Sequence, residues 1–212
     1  MRKIEKGTLA VLDAWKRANK SKQYRDLTEH DHIKVAIRQA CVREQYGLCA
    51  YCCRRITADK KSAHNEHVEA QRQAPNRTLD FQNIVASCNY AGRCGDAHKH
   101  QPLPLTPLMD ECETELRFEL SGLVKGLTER ARTSIGVLKL GDTREANRGL
   151  VYERKQMIEL LLFSQGLNPG ELASESDELL GLLLEDLLNV DDQQALQAFS
   201  PVLVNVIRHQ RT

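Results

Sequence analysis

The sequence predicts an α+β protein in which helical segments at both ends enclose a small core rich in cysteine and histidine. Three observations support this class. Apolar residues make up 41% of the 212 residues and charged residues 28%, which is typical of a globular chain. Apolar positions recur at helical spacing near both ends. In between, that periodicity weakens, and short strand-like pieces alternate with turns.

The N-terminal helical segment, residues 1–47, contains two predicted helices. The first covers residues 8–20, where apolar side chains lie at helical spacing. A connector rich in Lys, Ser and Gln follows it. The second helix has an apolar face over residues 33–42 and is predicted to end at Gly47, because glycine commonly terminates helices.

The central segment, residues 48–109, concentrates the Cys, His and Asn side chains of the chain. Its proline-leucine run, PLPLTP at 102–107, cannot form a regular helix and is predicted to mark a boundary. The strand-like pieces of this segment are Arg54 to Thr57, Asn65 to Glu69 and Ile84 to Ser87.

Two further segments complete the chain. Residues 110–167 predict a hairpin that turns at Gly122, followed by two helices broken near Gly141. Residues 168–212 predict an acidic helical lobe, because positions 171–192 contain eight acidic residues and no basic one.

The composition argues against a membrane protein and against a secreted one. No stretch approaches the roughly 18 uninterrupted apolar residues that a spanning helix needs. The N-terminus is basic throughout and lacks the apolar core of a secretory signal. A cytoplasmic location is therefore expected, with no membrane partner. In that reducing compartment the seven cysteines are expected to be thiols or metal ligands.

Charge is divided unevenly along the chain, although the net charge is only +1. Residues 1–109 carry 19 Lys and Arg against 11 Asp and Glu, a net charge of +8. Residues 110–212 carry 11 against 18, a net charge of −7. A basic front of this kind favours a polyanion such as nucleic acid, and the acidic back favours solvent or a protein partner.

Four cysteines form two close pairs within the central segment, about 35 residues apart. Cys49 and Cys52 are separated by two residues, and Cys88 and Cys94 by five. Four thiolates offered as two pairs suit a tetrahedral structural Zn²⁺ site. The alternative is four buried free thiols. A bound zinc would stabilise a region that has few apolar residues of its own.

Side chains capable of acid–base and metal chemistry lie between and just after these cysteine pairs. An acid–histidine dipeptide taken alone is most often a solvated strand end, so the order of the residues carries the signal. In chain order they are His64, Asn65, Glu66, His67, Asn83, Asp96 and His98.

This order resembles the HNH endonuclease family, whose ββα-metal core is a hairpin and a helix around one divalent ion. In many members two cysteine pairs hold a zinc beside that core. From residue 1 to about 150 the chain is similar to the PtuB-like branch, the nuclease components of Septu-type antiphage systems that also accompany some retrons. The similarity rests on MRKI-x-KG, CAYC, the EH pair, DFQNIVASC, C-G-D-x-x-K and the proline-leucine run. It implies this core with flanking N-terminal helices and a mostly helical C-terminal lobe.

Phosphodiester hydrolysis explains why these residue types occur together. His67 is the candidate general base, because an imidazole titrates near neutrality and accepts a proton from water. His64 is the alternative to His67, as a base or as a ligand. Glu66 offers a hard oxygen ligand for Mg²⁺ or Mn²⁺.

The resemblance implies further roles. A second ligand of the catalytic ion is expected on the closing helix, where Asp96 and His98 both qualify. Gly95 departs from the family pattern, since relatives often place the ligand at that position. Asn83 is expected to orient the loop that carries the base. Separately, the basic side chains expected to meet backbone phosphates are Arg54, Arg55, Arg93 and Lys99.

The expected function is therefore a metal-dependent HNH endonuclease that cuts DNA, or an RNA such as tRNA, as the effector of an antiphage system. By resemblance its partners are a PtuA-like ATPase related to the ABC and SMC classes and, in retron contexts, a reverse transcriptase with its DNA product. The alternative is a non-catalytic zinc module that binds nucleic acid or scaffolds a defence complex.

Overall fold

A computed structural model describes residues 1–29, 31–143 and 145–210 of the chain. Within them, seven α-helices and two antiparallel two-stranded sheets form an α+β fold, as the sequence predicts. The helices are α1 (Ala10–Ala18), α2 (Asp31–Glu44), α3 (Gly95–His98), α4 (Glu129–Leu138), α5 (Arg148–Ser164), α6 (Asp177–Leu188) and α7 (Ser200–Gln210). The strands are β1 (Ala63–His67), β2 (Ile84–Cys88), β3 (Leu116–Phe118) and β4 (Val124–Gly126).

The helix α2 packs on the hairpin formed by β1 and β2 and fixes its position. The side-chain amide of Gln45, just beyond α2, donates to the carbonyl of Ala86 at 2.8 Å and accepts from its N–H at 2.7 Å. The thiol of Cys41 donates to the carbonyl of Ile84 at 3.4 Å. These three hydrogen bonds anchor the end of the helix to a strand that is buried at every position.

Strands β1 and β2 pair in a register that places Ala63 opposite Cys88 and His67 opposite Ile84. The first strand therefore begins two residues earlier than predicted and ends at His67, after which the chain bends. The strand predicted at residues 54–57 is reduced to a single bridge between Leu48 and Arg55. That piece instead closes the turn that carries the first cysteine pair.

The second hairpin, β3 and β4, turns at Gly122 as predicted. This residue has a φ of +84°, and a β-carbon on it would lie 2.2 Å from the carbonyl oxygen of Val151 in α5. Glycine is therefore required both by its backbone conformation and by the close approach of α5. Gly141, with a φ of +85°, separates α4 from α5 at the predicted break.

The last helix, α7, belongs to the core and packs against β3, α5 and α6. Its Asn205 accepts from the N–H of Phe118 and donates to the carbonyl of Leu116, which ties α7 to β3. By contrast, α6 exposes acidic side chains to solvent. No helix in the described part of the chain has both the length and the apolar character needed to cross a membrane.

Candidate functional site

The first candidate centre is a cluster of four buried thiols, those of Cys49, Cys52, Cys88 and Cys94. Their Sγ atoms all lie within 4.8 Å of one another, and those of Cys52 and Cys88 are 3.9 Å apart. A tetrahedral zinc with Zn–S bonds of about 2.3 Å requires sulfur atoms roughly 3.8 Å apart. The cluster therefore has the size and the chemistry to hold a metal ion such as zinc.

Three separate elements supply these thiols. The turn after α2 carries Cys49 and Cys52, β2 ends at Cys88, and Cys94 precedes α3 with a φ of +54°. The backbone N–H of Cys88 donates to the Sγ of Cys49 at 3.3 Å, which favours a thiolate there. Burial acts to raise the pKa of Cys49, but hydrogen bonds from the three neighbouring thiols outweigh it and lower the pKa well below its ordinary value.

The other three cysteines lie outside this cluster. Burial raises the pKa of Cys41 to about 11 and that of Cys112 to about 12, so both remain protonated thiols near neutral pH. Burial likewise raises the pKa of Cys53. These cysteines are packed in the hydrophobic core and behave as small apolar side chains.

The second candidate centre joins Glu66 to two histidines. Its Oε1 lies 2.6 Å from Nδ1 of His98, and its Oε2 lies 3.3 Å from Nε2 of His64. His64 and Glu66 are two residues apart in β1, so both side chains project from the same face of the strand. His98 reaches them from the last residue of α3.

The remaining nitrogen of each histidine is already held by an acceptor. Nε2 of His98 donates to the carbonyl of Gln101 at 2.8 Å, and Nδ1 of His64 donates to the side-chain oxygen of Asn89 at 2.6 Å. Each ring therefore turns its other nitrogen toward Glu66, a carboxylate that can only accept. That nitrogen must carry a second proton, or a cation must share it with the carboxylate. Metal-binding histidines are commonly fixed by such outer hydrogen bonds.

The acidity of Glu66 follows from the same contacts. Burial acts to raise the pKa of this carboxyl, but the hydrogen bonds with His64 and His98 outweigh it and the pKa is lowered. Burial acts to lower the pKa of His64, yet the contacts with Glu66 and Asn89 raise it. Glu66 is thus held as a charged, largely buried carboxylate, the state that a cation requires of a ligand.

Gly95 leaves space for this second centre. A β-carbon on Gly95 would lie 2.5 Å from Nε2 of His64 and 2.9 Å from Oε2 of Glu66. A side chain at this position would therefore displace the imidazole of His64 and the carboxylate of Glu66. Glycine at position 95 therefore has a steric reason in this fold.

The structure separates the two candidate ligands on α3. Asp96 is exposed, and its Oδ2 accepts from the backbone N–H of Gly92 at 2.6 Å. His98 makes the contact with Glu66 and is fully buried. Of these two predicted residues, His98 is the one that the fold brings to the carboxylate.

His67 is buried, with 5% of its surface exposed, at the end of β1. Its Nε2 lies 2.8 Å from the carbonyl oxygen of Thr78, which can only accept, so this nitrogen carries the hydrogen. Nδ1 then holds a lone pair, and its partner is the Gln71 amide at 3.3 Å. The ring of Tyr24 packs edge-on against the imidazole, with centroids 4.8 Å apart.

The pKa of His67 is lowered from its ordinary value because the ring is desolvated by burial. The hydrogen bond to the carbonyl of Thr78 and the charge of Glu66 act in the opposite direction but do not compensate. The neutral imidazole, which is the form that accepts a proton, is therefore favoured near neutral pH.

Asn83 holds the chain just after His67. Its side-chain oxygen accepts from the N–H of Glu69 at 2.8 Å, and its amide donates to the carbonyl of Glu69 at 3.0 Å. Asn83 is buried and lies immediately before β2. These contacts are suited to orienting the bend that follows β1, and the functional role of Asn83 stays a prediction.

Glu66 and His67 line one cleft of about 310 Å³ even though they are neighbours in a strand. Because β1 ends at His67 and the chain bends there, side chains of opposite strand faces both border the opening. The remaining residues that line the cleft are Asn65, Ala70, Gln71, Arg72, Lys99 and His100.

Three of the four predicted phosphate contacts are engaged in ion pairs with the C-terminal half. Arg54 pairs with Glu153, and the guanidinium of Arg93 lies 3.5 Å from the same carboxylate. Arg55 pairs with Asp191 at 3.0 Å. Lys99 is exposed, lines the cleft, and makes no ion pair with any residue that the structure describes. Of the four, the fold brings Lys99 to the histidine site.

Three residues that shape this site have no role predicted from the sequence. Thr78 fixes the His67 tautomer through its backbone carbonyl, Tyr24 packs on the ring, and Gln71 contacts its free nitrogen. A backbone contact leaves no mark on residue type, so Thr78 has no sequence signal. The position of His64, by contrast, has a sequence signal, because a spacing of two residues places it on the same strand face as Glu66.

Comparisons with known proteins assign no family to this chain. None of the protein-family models scanned matches it, and a search of curated proteins gives no significant match.

Proposed function

We propose that this chain is a metal-dependent HNH-type endonuclease that hydrolyses phosphodiester bonds in nucleic acid, either DNA or an RNA such as tRNA. The observation that carries the proposal is that two adjacent residues, Glu66 and His67, have different surroundings. Glu66 contacts His98 and His64, while His67 borders the same cleft with a lone pair on Nδ1. Metal-dependent hydrolysis of a phosphodiester uses both a bound cation and a base for the attacking water.

The residues present fit a divalent cation. Glu66 and His98 are the proposed ligands, and His64 is placed to be a third. The space left beside these side chains by Gly95 supports this assignment, and so do the outer hydrogen bonds of both histidines. A set of carboxylate and imidazole suits Mn²⁺, and Mg²⁺ less well because it prefers oxygen ligands. When bound, the cation would neutralise charge on the scissile phosphate and on the leaving oxygen.

His67 is the proposed general base. Its Nδ1 takes a proton from the attacking water, while Nε2–H stays hydrogen-bonded to the carbonyl of Thr78 and holds the ring in place. The Gln71 amide contacts Nδ1 at 3.3 Å, a long hydrogen bond that a water molecule can replace at little cost. Burial keeps the ring neutral, as this role requires.

Positive charge for the substrate comes from the rim of the cleft. Lys99 and Arg72 are exposed, line the cleft, and have no ion pair among the described residues. They are therefore the proposed contacts to phosphates on either side of the scissile bond. The zinc proposed at the four cysteines has a structural role, because it joins α3, β2 and the turn after α2.

The same proposal places the nuclease in an antiphage system with a PtuA-like ATPase and, in retron contexts, a reverse transcriptase with its DNA product. Support for a docking surface comes from α6, which exposes Leu182 between the acidic side chains of Glu178 and Glu185. Reversing charge at these two glutamates and replacing Leu182 by Arg is expected to abolish co-purification with the ATPase. Unchanged co-purification would discard α6 as the docking surface.

A second candidate function is a non-catalytic zinc module, which the buried cysteine cluster alone would support. The two functions differ in whether His67 is needed. The test compares His67→Ala with His32→Ala, a change at an exposed histidine on α2. Each protein is incubated with DNA and RNA pools in Mn²⁺ or Mg²⁺, alone and with the neighbouring ATPase.

The nuclease proposal predicts that His67→Ala folds, retains zinc, and loses cleavage by 10²-fold or more, roughly the contribution of a general base. His32→Ala should cleave as the unmodified protein does. Cleavage that persists in a folded, zinc-loaded His67→Ala variant would remove the catalytic role of His67. Absence of cleavage in the unmodified protein under all these conditions would favour the zinc module.

A further inference from the structure

A second groove, of about 480 Å³, lies beside the cleft lined by Glu66 and His67, which we call the histidine cleft. Its walls come from the end of α1 with the following connector and from the loop between β1 and β2. Three lysines, Lys16, Lys20 and Lys22, contribute to one wall. The other residues that line the groove are Asn19, Ser21, Gln23, Pro75, Asn76, Thr78 and Leu79.

The groove is basic and carries no compensating acid. Residues 16–25 contain five Lys and Arg and no Asp or Glu, and no acidic side chain lines the groove. Lys20 and Lys22 are exposed, and Lys16 is half-buried. None of the three lysines forms an ion pair with a described residue, whereas Arg54, Arg55 and Arg93 are paired with carboxylates of the C-terminal half.

The fold connects this groove directly to the proposed base. Tyr24, two residues after Lys22, packs its ring against His67 and its hydroxyl accepts from the Asn65 amide at 2.9 Å. Thr78 is one of the residues that line the groove, and its backbone carbonyl accepts from the imidazole of His67.

The loop of residues 70–79 forms the partition between the two openings. Residues 70–72 line the histidine cleft, and residues 75–79 contribute to the lysine groove. The loop is braced by Arg77, which pairs with Asp80 at 2.8 Å and with Glu69. Gln73 donates to the carbonyl of His100 at 2.8 Å, which ties the loop to the far wall of the cleft.

We propose that the lysine groove binds the phosphodiester backbone of the nucleic-acid strand outside the scissile bond. This inference rests on the proposed function, because it assumes that the strand being cut lies in the histidine cleft. Lysines along one wall of a groove suit a repeating phosphate backbone without selecting a base sequence. The groove would thereby raise affinity for long substrates and leave the chemical step unchanged.

The test is a triple variant, Lys16→Gln, Lys20→Gln and Lys22→Gln. Its matched control is Lys60→Gln, Lys61→Gln and Lys139→Gln, which removes the same charge at exposed lysines outside the groove. Binding of fluorescein-labelled single-stranded 30-mers of DNA and RNA is measured from 50 to 300 mM salt. All binding proteins carry His67→Ala, so that the probe is not cut.

The groove triple should bind at least roughly tenfold more weakly near 100 mM salt than the control triple. Its plot of log affinity against log salt should be shallower by about 2, since each lost contact to a single strand removes about 0.7 from the slope. Equal affinities and slopes for the two triples would overturn the proposal. The two triples are also compared for binding to phosphatidylserine vesicles. If the groove triple loses as much affinity for the vesicles as for the 30-mers, the proposal is overturned and the groove is identified as a lipid-binding surface instead.

A second readout separates this inference from the proposed function. With His67 present, hydrolysis of bis(p-nitrophenyl) phosphate is compared, because this substrate is too small to reach the groove from the cleft. The groove triple should retain the kcat/KM of the unmodified protein on this substrate and have a kcat/KM at least roughly tenfold lower on a 30-mer. If the unmodified protein hydrolyses neither substrate, the nuclease proposal fails while the binding comparison still decides the groove.

Discussion

A β-carbon placed on Gly95 would lie 2.5 Å from the Nε2 atom of His64, closer than non-bonded atoms approach. The first prediction follows from this contact. Gly95→Ala should displace His64 and Glu66 and weaken binding of Mn²⁺ at least roughly tenfold, the loss typical when metal ligands are disturbed. Binding is measured by the loss of the free Mn²⁺ signal in electron paramagnetic resonance.

The control for this change is Gly136→Ala, since a β-carbon there meets nothing within 4 Å in α4. It should leave Mn²⁺ binding unchanged and raise the free energy of unfolding by up to about 1 kcal/mol, because alanine favours helix. Zinc content should stay the same in both variants. Unaltered Mn²⁺ affinity in Gly95→Ala would contradict the placement of the cation at Glu66.

The second prediction concerns the pH dependence of cleavage. Burial lowers the pKa of His67 below its ordinary value of about 6.5. Since the neutral ring is the active base, the fall in kcat/KM with decreasing pH should have its midpoint below about 6.5. A cation at Glu66 acts in the same direction, because it disfavours the imidazolium.

The measurement is kcat/KM for a DNA or RNA substrate at constant ionic strength, over the range in which the protein stays folded. A decline with a midpoint above about 6.5 would contradict the burial of this base. The residual activity of His67→Ala should lack this transition, which assigns the decline to His67.

The third prediction separates the clustered cysteines from the others. Cys52→Ala removes a thiol 3.9 Å from that of Cys88 and should abolish binding of one zinc per chain. Because structural zinc supplies folding free energy, the cooperative thermal transition should be lost as well. Metal content by mass spectrometry and thermal unfolding by circular dichroism check both effects.

The matched control is Cys112→Ala, at a buried cysteine outside the cluster. This variant should retain its zinc and a cooperative transition, with only the modest loss expected from a small cavity. A full zinc content in purified Cys52→Ala would exclude the four-cysteine site.

The fourth prediction concerns Arg154, a fully buried residue of α5. Its guanidinium donates to the carbonyls of Gly122 at 2.6 Å and Leu140 at 3.1 Å and so ties the β3–β4 turn to the segment that follows α4. Arg154→Leu leaves both carbonyls without this donor and should lower the free energy of unfolding by about 3 kcal/mol or more. Denaturant unfolding measures the change.

Arg148→Gln, on an exposed position of the same helix, should change the free energy of unfolding by no more than about 0.5 kcal/mol. If the two variants were equally stable, the hydrogen bonds of Arg154 would contribute nothing net.

The sequence by itself determined the elements whose signals are local. Two cysteines spaced by two residues in one turn face a common point wherever the turn lies, so the first half of the cysteine cluster can be predicted from spacing alone. The hairpin at Gly122 and the helix break at Gly141 were likewise predictable, because their positive φ angles favour glycine. Glu66 and His67 were identified as chemistry-bearing residues from their types and order.

Only the tertiary structure decided which of these groups meet. Asp96 and His98 share one short helix, and only the folded chain shows that His98 contacts Glu66 whereas Asp96 contacts Gly92. The same holds for Arg54 and Arg55, whose carboxylate partners lie about a hundred or more positions away in the chain. Local spacing fixes what a side chain can do, whereas contacts between distant segments fix what it faces, because they depend on how every intervening element packs.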